Sequence, residues 1–92
     1  MAHASVTDVP ASWENYERVS VTLDSLRPEG LILHAAGRTD EGFRIIEVWE
    51  SREAWGRARD RAPEWWAGDR TGERPAMEPV VRELAVERLL RR

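Results

Sequence analysis

The sequence predicts an α+β domain in which two helices cover one face of a four-stranded antiparallel sheet, in the order β-α-β-β-α-β. Three observations carry this reading. Residues 42–55 read GFRIIEVWESREAW, a β-branched and aromatic run followed at once by a helix start. Residues 31–36 read LILHAA, a near-continuous apolar run, and GRTDEG joins the two as a turn cluster, so they form a hairpin. Ahead of them, Trp13, Tyr16, Val19, Leu23 and Leu26 recur every three or four residues, which is one apolar face of a helix.

In chain order, residues 3–9 (HASVTDV) alternate loosely and end at Pro10, which cannot donate to a ladder; they form the first strand. Ser12 caps the first helix and Glu14 places a negative charge in its first turn. Pro28 and Gly30 end that helix. After the hairpin, Ser51 caps the second helix, Glu53 lies in its first turn, and Ala54, Trp55, Ala58 and Ala62 make its inner stripe. Pro63 is expected to stop or kink this helix near Arg61, with residues 63–66 as a short second piece carrying Pro at its first position. Residues 67–79 carry two glycines and two prolines and read as a long surface loop. Residues 80–90 (VVRELAVERLL) supply the last strand, although Leu, Ala, Glu and Arg would also suit a helix.

Ninety-two residues suffice for one domain, residues 1–92. The formal net charge of −3 gives no broad attraction to nucleic acid or to an anionic membrane. All 14 basic residues are arginine, a bias that suits a GC-rich genome better than a function. With no cysteine, disulfide and thiolate chemistry are excluded. No signal-peptide pattern opens the chain and no apolar run approaches the roughly 20 residues of a membrane span, so a cytoplasmic protein without membrane or nucleic-acid partners is expected.

The element order is that of the ferredoxin-like split fold. It leaves a face to be covered: the helices bury one side of the sheet, yet residues 31–36 are apolar on both. A second copy of the chain would bury the other side, at about 25 cal/mol per Å² of apolar surface. GLILHAAG followed by TDEGFRIIEVWESREAW resembles the dimeric α+β barrel superfamily, and within it the antibiotic biosynthesis monooxygenase-like proteins. The resemblance is carried by residues 30–58 and by the order of the other elements. It implies a homodimer whose sheets face each other, with a cavity for a hydrophobic or aromatic small molecule between the sheet and the helices of each subunit. It also implies cofactor-free chemistry on an aromatic or polyketide-like compound, either oxygenation or cyclisation and isomerisation. In the family's anthrone oxygenases an aromatic lines the cavity at the position of Trp49, which matches it. The family's asparagine four positions earlier falls on Ile45, and its tyrosine six positions later falls on Trp55. Haem-degrading relatives need an axial histidine on the second helix, and residues 51–66 contain none, so neither a haem nor any other cofactor is expected.

The candidate chemistry centres on the hairpin. Pairing Arg38 with Phe43 would set His34 opposite Glu47 and Ile32 opposite Trp49. A His–Glu pair beside an aromatic can act as a base, while the commoner role for such a histidine is a structural one, hydrogen-bonded within the sheet or at a dimer interface. His34, Glu47 and Trp49 are therefore the catalytic candidates. Tyr16, the only tyrosine, and Ile32, Ile45, Trp55 and Trp65 are candidates to line the pocket. His3 could join His34, but two histidines and one glutamate in unknown register make no metal site. Arg52, Arg57, Arg59 and Arg61 interleave with Glu53 and Asp60 as a solvated helix face.

Overall fold

The computed structural model describes residues 1–26, 28–68 and 79–90. The elements follow the expected order: β1 (His3–Val9), α1 (Trp13–Leu26), β2 (Leu31–Arg38), β3 (Phe43–Trp49), α2 (Arg52–Gly68) and β4 (Val80–Ala85). They build one antiparallel sheet of order β2-β3-β1-β4. Both helices start on side-chain caps. Ser12 Oγ accepts the Asn15 amide at 3.3 Å, and Ser51 Oγ accepts the Ala54 amide at 3.1 Å, satisfying donors that a helix start leaves open.

Alternation along β3 sorts the sheet into two faces. Phe43 and Trp49 are buried at 1% and 2% exposure and lie on the face that the helices cover, with Ile45 and Glu47 between them. Two apolar clusters fill the ends of this face. At the hairpin end, Val9, Ala11 and Phe43 pack with Trp13, Tyr16 and Ile45. At the other end, Trp49, Ala54, Trp55 and Ala58 pack with Leu31 and Val81. The opposite face presents Leu33, Ile46, Val80 and Leu84, all exposed in the single chain.

Two glycines tie the ends down. Gly30 has φ 90°, and a Cβ there would meet the Ala54 side chain at 2.6 Å; its carbonyl accepts the Glu50 amide at 2.7 Å, which closes the corner between β3 and α2. At Gly42 a Cβ would sit 2.1 Å from the Val9 carbonyl, so only glycine lets the hairpin turn press against the end of β1.

Three expectations are corrected. Arg38 does pair with Phe43 and His34 with Glu47, but Leu31, not Ile32, stands opposite Trp49. The register shifts between Leu31 and Leu33, a β-bulge that inserts Ile32 as an extra residue on the edge strand β2. The second helix does not stop at Arg61: α2 runs through Pro63 to Gly68, because a proline removes one ladder donor while the alanines, glutamate and arginines around it still favour helix. The last strand ends at Ala85, not Leu90; beyond it the Val86 amide still reaches the Ala2 carbonyl at 2.9 Å, but 87–90 pair with nothing in the sheet. Most of the expected 67–79 loop lies outside the described residues, as do the side chains of Val19, Leu23, Leu26, Trp65 and Trp66. Among the described residues no helix is long and apolar enough to cross a membrane.

Candidate active site

Between the two apolar clusters the covered face turns polar. The pairings place Glu83, Ser5, Glu47 and His34 on one rung that crosses all four strands. A polar row in the middle of a helix-covered sheet is costly unless its members are partnered.

His34 is partnered on both sides. Its Nδ1 lies 2.7 Å from Glu47 Oε2, and its Nε2 lies 2.6 Å from the hydroxyl of Tyr16 on α1. These contacts choose the tautomer. A carboxylate can only accept, so Nδ1 carries a proton, and in the neutral ring Nε2 is left to accept the Tyr16 O–H. The other oxygen of Glu47 accepts the Trp49 indole N–H at 3.4 Å, a long bond. The result is a chain running Tyr16, His34, Glu47, Trp49. It reaches water in part: the side chains of His34 and Glu47 are 18% and 16% exposed.

Aromatic rings set the height of Tyr16 above the sheet. Trp13, one turn earlier, stacks on it with centroids 4.7 Å apart, and Phe43 packs beneath at 5.3 Å. Its ring also lies parallel to the imidazole of His34, 6.0 Å away and tilted by 9°. Arg38 closes the hairpin end of this stack, its guanidinium 5.8 Å from the Trp13 ring. A cleft of about 380 Å³ opens there, with Ser12, Trp13, Arg38, Thr39 and Gly42 in its walls; it shares Trp13 with the stack and does not include His34, Glu47 or Trp49.

The remaining sequence candidates sit as follows. Ile45 packs in the hairpin-end cluster, and Ile32 is the bulged residue, half-buried. Trp55 lies in the far cluster, where it packs against His3 at 5.1 Å and carries the Arg59 guanidinium at 5.1 Å. Trp65 belongs to α2, with its side chain outside the described residues. His3 and His34 lie on strands that flank β3 from opposite sides and keep separate partners. Among the described residues no group of three or more His, Cys, Asp or Glu side chains could hold a metal ion.

One residue was not singled out from the sequence. Asn15, in the first turn of α1 beside Tyr16, is 1% exposed, and neither its Oδ1 nor its Nδ2 has a hydrogen-bond partner among the described residues. A polar residue in a first turn reads as solvated, so only three-dimensional burial brings it out.

The fold defines the class: a ferredoxin-like α+β protein. Within that class, its structural likenesses include antibiotic biosynthesis monooxygenase-like proteins. No family model and no curated sequence matches the chain. A protein from Caulobacter crescentus CB15, provisionally assigned as an antibiotic biosynthesis monooxygenase, superposes with a TM-score of 0.69 at 19% identity, over 94% of this chain and 91% of that one. A dimeric ferredoxin-like protein of unknown function from Thermobifida fusca YX gives 0.68 at 14% identity, over 94% and 92%. SnoaB, a cofactor-independent oxygenase from Streptomyces nogalater, gives 0.59 at 16% identity, over 97% and 94%. At these identities the likeness is one of fold.

Proposed function

We propose that the chain is the subunit of a small homodimeric enzyme, similar to the antibiotic biosynthesis monooxygenase-like proteins, that moves a proton on an aromatic or polyketide-like small molecule without a cofactor. The observation that carries this reading is His34, held at both nitrogens on a face that is otherwise apolar at its two ends. A carboxylate behind an imidazole fixes its tautomer and stabilises the imidazolium that forms when it accepts a proton. Both oxygenation and cyclisation or isomerisation of an enolisable aromatic can begin with that step. Trp49, 2% exposed and bonded to Glu47 through its indole N–H, would sit directly behind the site, near enough for its fluorescence to report a bound aromatic. The exposed Leu33, Ile46, Val80 and Leu84 support burial of the open face against a second copy, and the similar fold from Thermobifida fusca is that of a dimeric protein.

A second reading has its own support. Ile45 and Trp55, which stand where the anthrone oxygenases have asparagine and tyrosine, pack into the two apolar clusters. That suits a dimer that binds a hydrophobic small molecule without converting it, or one with only a structural role.

One experiment tests the site that both small-molecule readings share. The species isolated by size exclusion with light scattering is titrated with anthraquinone-2-sulfonate, a planar aromatic probe, while tryptophan fluorescence is followed. Saturable quenching by a particle of twice the chain mass is expected, with most of the quenching lost in Trp49→Phe while the dimer persists. A species of single-chain mass would remove the dimer, and unchanged quenching in Trp49→Phe would remove the pocket from the proposal.

A further inference from the structure

We infer that Tyr16, not His34, is the group that exchanges a proton with the substrate, and that His34 and Glu47 act through it. This rests on the acid–base reading above and specifies where its chemistry occurs.

Both nitrogens of the His34 imidazole are engaged. With Nδ1–H donated to Glu47 and the Nε2 lone pair taken by the Tyr16 hydroxyl, His34 has no lone pair left for a substrate proton. Whatever proton His34 accepts must come from Tyr16. The 2.6 Å separation is at the short end for such a bond, and the parallel rings, with Trp13 stacked on Tyr16, hold the phenol in place. Tyr16 is half-buried, so it joins the dyad to the partly open side of the site.

The step balances without an oxidant or reductant. Tyr16 gives its hydroxyl proton to Nε2, and the imidazolium formed is offset by the Glu47 carboxylate. The phenolate oxygen then takes a proton from a carbon next to a carbonyl of the substrate. The C–H electron pair moves into the carbon–carbon bond as the carbonyl becomes an enolate, and Tyr16 is again a phenol. One negative charge has moved from phenolate to enolate, and one proton from carbon to the Tyr16–His34 pair. The substrate class is a planar aromatic ketone with an acidic C–H, its acidic carbon at the Tyr16 hydroxyl.

The test uses the fact that Tyr16 is the only tyrosine in the chain. Protein made with 3-fluorotyrosine therefore carries a more acidic phenol at this one position and keeps every other residue. The probe is 2-tetralone, a benzo-fused ketone whose benzylic C–H signal next to the carbonyl is lost by exchange in D₂O and followed by proton NMR. The wild-type protein is expected to speed this exchange above the buffer rate. Tyr16→Phe should lower the protein-dependent rate about 100-fold, in the range that general acid–base groups contribute, with quenching by anthraquinone-2-sulfonate retained. In the fluorotyrosine protein the pH–rate profile should move to lower pH. Exchange that survives in Tyr16→Phe, or a profile unmoved by fluorotyrosine, overturns the inference and leaves His34 as the base of the proposed function. No exchange above buffer by the wild-type protein ends the acid–base reading, and this inference with it. Should Tyr16→Phe fail to fold, the fluorotyrosine profile decides alone.

Discussion

The chain has two histidines, each on the helix-covered face and each beside a glutamate, and the protein treats them in opposite ways. His3 is 5% exposed, packed on the Trp55 ring at the apolar far end of the sheet. Its Nε2 lies 3.1 Å from Glu83 Oε1, near enough for an electrostatic contact but off the line of a hydrogen bond, and the same oxygen is 3.4 Å from Arg52 Nε. Glu83 is thus shared between a buried ring and an exposed arginine. His34 has its own carboxylate, in line at 2.7 Å, and a phenol on its other side. The difference teaches that a His–Glu pair becomes a candidate for chemistry through directed hydrogen bonds at both nitrogens and partial access to water. Proximity alone makes a packing residue with a polar edge.

Truncating each ring should separate the two roles, and this is the largest effect expected. His3→Ala opens a cavity beside Trp55 and should cost about 2–3 kcal/mol, a shift of roughly 4–8 °C in Tm per kcal/mol for a domain of this size. His34→Ala removes two hydrogen bonds at a partly exposed site and should cost about 1 kcal/mol, while abolishing proton exchange on 2-tetralone. Thermal and urea melts of the two variants give the comparison directly. Equal losses, or a larger loss at His34, would make His34 a structural residue and break the contrast.

A smaller effect of opposite sign is expected at Asn15. Its buried amide has no partner among the described residues, and such a group costs about 1–3 kcal/mol of desolvation. Asn15→Leu, which keeps the branch at Cγ and removes both polar atoms, should therefore raise stability by about 1 kcal/mol in the same melts. A loss of stability instead would mean that the amide is satisfied, and that the covered face is polar at a further point beyond the His34 rung.

Much of this was legible in the sequence, for identifiable reasons. Ser12 and Ser51 mark helix starts because a hydroxyl one residue ahead of a helical stripe has open amides to accept. The pairing of His34 with Glu47 is legible only conditionally. A hairpin propagates its register along both strands, so it follows once Arg38 pairs with Phe43, as it does, but the turn cluster alone does not choose that register. The propagation fails at Ile32, where a bulge on an edge strand has no signature in a run that is apolar throughout. Tyr16 was read as lining the pocket, but its bond to His34 spans 18 positions and depends on where α1 crosses the sheet, which no local pattern encodes. Trp55 had the spacing of an inward-facing helical residue and is one, yet the end of the face it occupies is set by the same crossing.

The smallest effect comes from outside the covered face and sharpens what is measured inside it. On the open side, Asp8 of β1 and Arg44 of β3 stand opposite each other and form a two-pronged pair, with Arg44 Nε to Asp8 Oδ1 at 2.6 Å and Nη2 to Oδ2 at 3.2 Å. The hydrogen bond from Arg44 holds the Asp8 carboxyl below its ordinary value of 3.8, with the charges of Arg44 and Arg82 adding to it and desolvation opposing it. Since the folded value is the lower one, the unfolded chain binds this proton first as pH falls. The pair's contribution is thus full above the ordinary carboxylate value and is lost as pH drops through the lowered one. In the single chain the pair is open to solvent, so there its contribution is small and falls with salt. Asp8→Asn should leave a protein slightly less stable than wild type at pH 7, with the two melting curves converging as pH falls through the acid range and as salt is raised. Any acid dependence that persists in Asp8→Asn then arises outside this pair. A gap between wild type and Asp8→Asn that widens toward low pH would reverse the sign argued here and remove this pair as a baseline.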